Sequence, residues 1–136
     1  MNNLLKGIMD KISGSSLSSD VGGRIFLDEA PQGSEYPYIV FFIISDVPQD
    51  TFTEYLDDIL IQFSIFSASQ GATEITTIYN DLISLFDNCA LTITSDIHIS
   101  MMRQNLTTMT EDIVLTDATQ RVKHWAVDYS ILLTKP

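Results

Sequence analysis

This chain predicts an α+β fold: a single mixed, mainly antiparallel sheet packed against a long helix, with a short N-terminal helix. Two hydrophobic periods, one following the other, point to it. Between Asp57 and Ile65 the residues Ile59, Ile61, Phe63 and Ile65 alternate with Asp58, Leu60, Gln62 and Ser64. That period of two belongs to a strand with one buried face. Further on, Ile75, Ile78, Tyr79, Leu82, Ile83 and Phe86 fall at the i, i+3, i+4 spacing of an amphipathic helix, with Glu74, Asn80, Asp81 and Ser84 opposite. The strand and the helix each need an apolar cover, and each suits the other.

The remaining elements follow in order. Leu4, Leu5, Ile8, Met9 and Ile12 form one stripe of a short helix over Met1–Ile12, with Asn2 or Asn3 able to cap it. Ser13–Ser19 is small and polar and reads as a loop, followed by the tight turn Val21-Gly22-Gly23-Arg24 and a brief apolar segment, an extra short strand near Arg24. Pro31 and Gly33 mark Asp28–Tyr36 as an irregular excursion. Tyr38–Ile44 is apolar on both sides, as in a strand covered on both faces or central in its sheet. Ser45–Thr53 is then a turn too short for a crossover, so the next strand is antiparallel. Ser67 or Ser69 can cap the central helix and Asn88 can end it. Ile97–Met101 is a strand, Arg103–Thr119 its continuation or a long hairpin, and Trp125–Leu133 the last strand.

At 136 residues the chain is one domain, 1–136, long enough to bury roughly two-thirds of its unfolded surface. The hydrophobic content of 45% excludes global disorder. No apolar run approaches the ~20 residues of a membrane span, and the N-terminus lacks the apolar core of a secretory signal. One cysteine, Cys89, excludes an internal disulfide framework, fits a reducing compartment and reads as a buried structural thiol. The net charge of −11 argues against a nucleic-acid grip, which needs clustered Lys and Arg. It suits a surface past which DNA slides without sticking, and equally a protein merely kept soluble.

Candidate chemistry is sparse. His98 and His124 lie on different strands without carboxylate or thiol at ligand spacing, so no metal is expected. The pairs Asp57-Asp58 and Glu111-Asp112 point to opposite strand faces and cannot share acid–base work. No catalytic group or cofactor is expected.

Read together, the short N-terminal helix, the Val21-Gly22-Gly23-Arg24-Ile25-Phe26 turn, the Ala30-Pro31-Gln32-Gly33 loop, the Tyr36-Pro37-Tyr38-Ile39-Val40-Phe41 strand start, the alternating strand, the helix and the final strand resemble the tail-completion or tail-terminator family of long-tailed bacteriophages and prophages. The resemblance implies a structural subunit, not an enzyme. It implies a homo-hexameric ring in the virion, assembled in the host cytoplasm, that caps the head-proximal end of the tail tube. Its partners would be the tail tube protein and the head connector or head-completion protein, with DNA passing through the lumen and no membrane. Gly22, Gly23, Arg24, Pro37 and Tyr38 match the family pattern and read as structural: turn geometry, an Arg–carboxylate contact and a strand start. Met109, Glu111 and Asp112 are the candidate partner contacts, in an adaptable stretch rich in Met and Thr. A head-completion protein of the same neck and a monomeric adaptor unrelated to phage are the alternatives.

Overall fold

A computed structural model describes residues 2–48, 55–87, 89, 97–114 and 119–135. Three helices, α1 (Asn2–Ile12), α2 (Ser16–Asp20) and α3 (Thr73–Phe86), accompany five strands. The strands are β1 (Ile25–Leu27), β2 (Tyr38–Pro48), β3 (Tyr55–Ser67), β4 (Ile97–Val114) and β5 (Thr119–Lys135), in sheet order β1-β2-β3-β5-β4. β1 runs parallel to β2 and the other neighbours are antiparallel, which is the expected mixed, mainly antiparallel sheet. The Asp28–Tyr36 excursion makes the parallel pair possible by returning the chain to the end of the sheet where β1 began. The Tyr36–Pro37 peptide bond at its close is cis.

Register places the alternating residues of β3 at the centre. Ile39 faces Ile65, Phe41 faces Phe63 and Ile43 faces Ile61 across β2, while Val127, Tyr129 and Ile131 face Phe63, Ile61 and Ile59 across β5. All three helices cover this one face. Leu4, Ile8 and Ile12 of α1, Leu17 of α2 and Ile75, Ile78, Leu82 and Phe86 of α3 join the sheet residues in one buried cluster. Phe63 is its hub, with ring centroids 4.9 Å from Phe86 and 5.8 Å from both Phe41 and Tyr129. Burying each such side chain contributes about 1.5–3 kcal/mol, the main force holding the two layers together.

Several expectations are corrected. The central helix has 14 residues, about 21 Å, and is of ordinary length rather than long. Neither Ser67 nor Ser69 caps it. Its N-cap is Ala72 without a side-chain hydrogen bond, while Ser67 Oγ donates to Glu74 Oε1 at 2.7 Å. The polar Ser13–Ser19 stretch is no simple loop: Ser15 accepts from Ser18 N and so caps the short α2. β2 continues through Ser45 to Pro48 past a bulge, where a turn was expected. β2 is also neither central nor covered on both faces. Beyond Arg103 the chain stays extended and paired with β5 as far as Val114, so the continuation reading holds there. Asn88 as helix end, the segment near Leu91 and Ile93, and residues 115–118 lie outside the described residues.

Candidate functional site

The Gly22-Gly23-Arg24 turn is a helix terminus joined to a clasp. Gly23 N donates to Ser18 O at 2.8 Å and Gly22 N to Ser19 O at 3.2 Å, the paired bonds of a Schellman cap closing α2. Gly22 has φ +60°, and a Cβ there would lie 2.8 Å from the Arg24 guanidinium. Only glycine meets both demands without strain. The expected Arg–carboxylate contact is not what Arg24 makes. Its Nε donates to the Pro37 carbonyl at 3.0 Å, while Ile39 N donates to Arg24 O at 3.0 Å. The Pro37 carbonyl, just before β2, faces Arg24 on the same edge as Ile39 N. Gly22, Gly23, Arg24, Pro37 and Tyr38 thus come together as one joint between α2, β1 and β2.

Tyr38 opens onto the side of the sheet that no helix covers. There Tyr36 stacks on Tyr38 (5.2 Å), Tyr38 on Phe66 (4.9 Å) and Phe66 on His124 (4.3 Å), with Phe26 edge-on to Tyr38. This aromatic ladder crosses β1, β2, β3 and β5. Burial raises the Tyr38 pKa, helped by Tyr36 and by the charge of Glu111. Met109 and Glu111 therefore border the same patch. Met109 pairs with His124 in register and Glu111 Oε1 lies 3.4 Å from His124 Nδ1. Asp112 points to the other face, where it pairs with Arg121 at 3.2 Å. The structure unites two of the three candidate contacts with the Tyr38 joint and separates the third. The ladder went unnoticed in the sequence because its rings come from four strands and the loop before β2. Their shared even-numbered positions, 26, 36, 38, 66 and 124, mean nothing until the register is known.

Nearer the other end, the open face is polar at its middle. Gln62 Nε2 donates to Asp128 Oδ1 (2.8 Å) and Ser130 Oγ to Asp58 Oδ1 (2.9 Å). On the covered side, Tyr129 donates its hydroxyl to Asp87 Oδ1 at 2.6 Å, Arg103 lies 3.4 Å from Asp87 Oδ2, and Arg103 also donates to the Tyr79 hydroxyl. Burial and the Asp87 carboxylate push the Tyr129 pKa well up. Arg103 thereby supplies a cation at the C-terminal end of α3, whose last turn has none of its own. Cys89 is half-buried, its Sγ 3.5 Å from Met101 Sδ, and burial raises its pKa, as befits a structural thiol.

A cleft of about 900 Å³ is lined by the Ala68–Gly71 loop, by Thr110 and Asp112 of β4 and by Arg121 and Lys123 of β5. Arg121 is held by Asp112 and Lys123 Nζ by Ser69 O at 2.8 Å, so its cations are already engaged. Among the described residues no three His, Cys, Asp or Glu side chains gather as a metal site would require, and no helix is long and apolar enough to cross a membrane. The family model described as tail completion protein gp17 matches residues 12–134, and the chain belongs to that family of structural phage tail proteins, which is not an enzyme class. Its place is accordingly in the virion. No curated protein matches. Among solved structures, a chain from the virion of a native gene transfer agent particle superposes with a TM-score of 0.70 at 10% identity, over 93% of this chain and 91% of that one. That likeness is one of fold.

Proposed function

We propose that this chain is a tail terminator: copies close into a ring, a hexamer, at the head-proximal end of the tail tube, stop its polymerisation and present a surface to the head connector. The observation that carries this reading is the sheet itself. Among the described residues no helix covers one face, and the 18-residue edge strand β4 borders no further strand. An edge and a face of this size in a family of tail proteins are built to be filled by neighbours, and a closed ring fills them without leaving an open end. Engaged carboxylates and a charge of −11 per chain suit a lumen wall that lets DNA pass.

The test is incubation with purified tail tubes followed by negative-stain imaging, beside sedimentation across a salt series. Rings should form more readily as salt rises, because the Debye length shrinks from ~30 Å at 0.01 M to ~3 Å at 1 M and screens the like charge of the copies. Tubes should be capped at one end and stop growing. A chain that is monomeric at every salt and leaves tubes growing sinks the proposal. Selective binding to purified connectors in place of tubes would favour the head-completion role.

A further inference from the structure

The open face needs an occupant. Phe42, Leu60 and Leu132 are half-exposed on it, and Val47 and Met102 are exposed at 48% and 54%. Four strands over about eight residues span roughly 500 Å² of sheet, against the ~800 Å² per partner of a standard protein interface.

Charge selects the occupant. The face carries Asp58, Glu111 and Asp128, while β2–β5 place no Lys or Arg on it among the described side chains. Stacking it on the same face of a second copy would set carboxylates against carboxylates. The occupant must bring a cation and an apolar contact together. Across the molecule, on the far side of the helix layer, α1 turns exactly such a pair to solvent. Lys6 is exposed and Met9, three residues on, is exposed at 39%. Arg24, Arg103, Arg121 and Lys123 are each already held by a carbonyl or carboxylate, and Lys11 is half-buried with its charge near Cys89, whereas Lys6 is exposed with no hydrogen bond or ion pair among the described residues. Residues three apart on a helix share a face.

We propose that the open sheet face of one copy receives the solvent face of α1 from the next, head to tail. The inference rests on the self-assembly reading above and names its contact. The two patches lie on opposite sides of the protomer, so the contact is heterologous and repeats from copy to copy. Met9 seats among Phe42, Leu60 and Met102, and Lys6 meets Asp58 or Asp128.

The experiment uses the full chain at moderate salt, with light scattering after size exclusion. Carbodiimide coupling of a mixture of isotope-labelled and unlabelled chains, read by peptide mass spectrometry, locates the contact. Lys6→Glu, Met9→Asp and Met102→Arg should each weaken association at least tenfold, Lys6→Arg should preserve it, and circular dichroism should show all four folded. Coupled peptides should join Lys6 of one copy to Asp58, Asp128 or Glu111 of another. Rings that form and cap tubes unchanged in the three disruptive variants, or Lys6 coupled elsewhere, would overturn this contact and leave the terminator role standing. A wild-type chain that is monomeric even with tubes would overturn both.

Discussion

On the helix side of the sheet, Phe41, Phe63, Val127 and Tyr129 are sealed from water. One residue along the same strands, Phe42, Gln62, Asp128 and Ser130 stay half-exposed. The backbone is shared, the strands are equally long and the register is the same. What differs is the partner: among the described residues, helices pack on one side and none on the other. The covered face uses nearly pure hydrocarbon, whereas the open one mixes rings with hydrogen-bonded carboxylates that tolerate water until a neighbour arrives. A sheet face in an assembly subunit can thus be core-like in shape yet surface-like in chemistry.

The largest break in that comparison is Phe63→Ala. Phe63 is fully buried between Phe41, Phe86 and Tyr129, so the substitution should cost about 3–5 kcal/mol. Phe42→Ala, one face away, should cost about 1 kcal/mol in the monomer because water already reaches the ring. Urea unfolding of both variants measures the contrast, and equal losses would mean that the two faces are equally buried.

The joint that borders the open face comes next. Gly22→Ala places a Cβ against the Arg24 guanidinium at φ +60°, and should cost about 1–2 kcal/mol through αL strain and loss of the bond to Pro37 O. Gly23→Ala, at φ +75° with open space around it, should cost less, about 1 kcal/mol. Thermal melts of the two variants side by side isolate the steric part.

On the covered face, Tyr129→Phe removes the hydroxyl that donates to Asp87 and leaves that carboxylate beside Arg103. The expected loss is about 1–2 kcal/mol, read by chemical denaturation.

The smallest effect has the opposite sign. Asp20, at the end of α2, is pushed up to about 6 by its burial and then by the adjoining Asp81 side chain of α3, through a hydrogen bond and its charge. A carboxyl whose folded pKa exceeds the unfolded value binds more protons when folded. It therefore opposes folding fully above about pH 6 and loses that opposition as pH falls toward 4. Asp20→Asn should stabilise the protein by up to about 1 kcal/mol at pH 7 after solvent screening. The gain should vanish by about pH 4, and melts across that window check it. A gain that does not change with pH would mean that packing, not charge, is responsible.

Local periodicity was enough to read the core from the chain. Ile59, Ile61, Phe63 and Ile65 at a period of two, and Ile75, Ile78, Leu82 and Phe86 at helical spacing, specify which side of each element is buried, because a strand or helix exposes that choice within a few residues. The same logic identified the joint residues without their interactions: two glycines and an arginine signal a turn, but not that the turn is a helix cap or that Arg24 reaches a carbonyl 13 positions away. α2 escaped notice because five residues give no period to read. Tertiary structure alone decided the rest. It chose which side of Tyr38–Pro48 the helices left bare, aligned Tyr38, Phe66 and His124 into one ladder, set Asp20 beside Asp81, and brought Arg103 to the end of α3. Each of these joins residues far apart in the chain through the pairing of β2, β3, β5 and β4 or the seating of helices on them, and such pairing leaves no mark in the local alternation of apolar and polar residues.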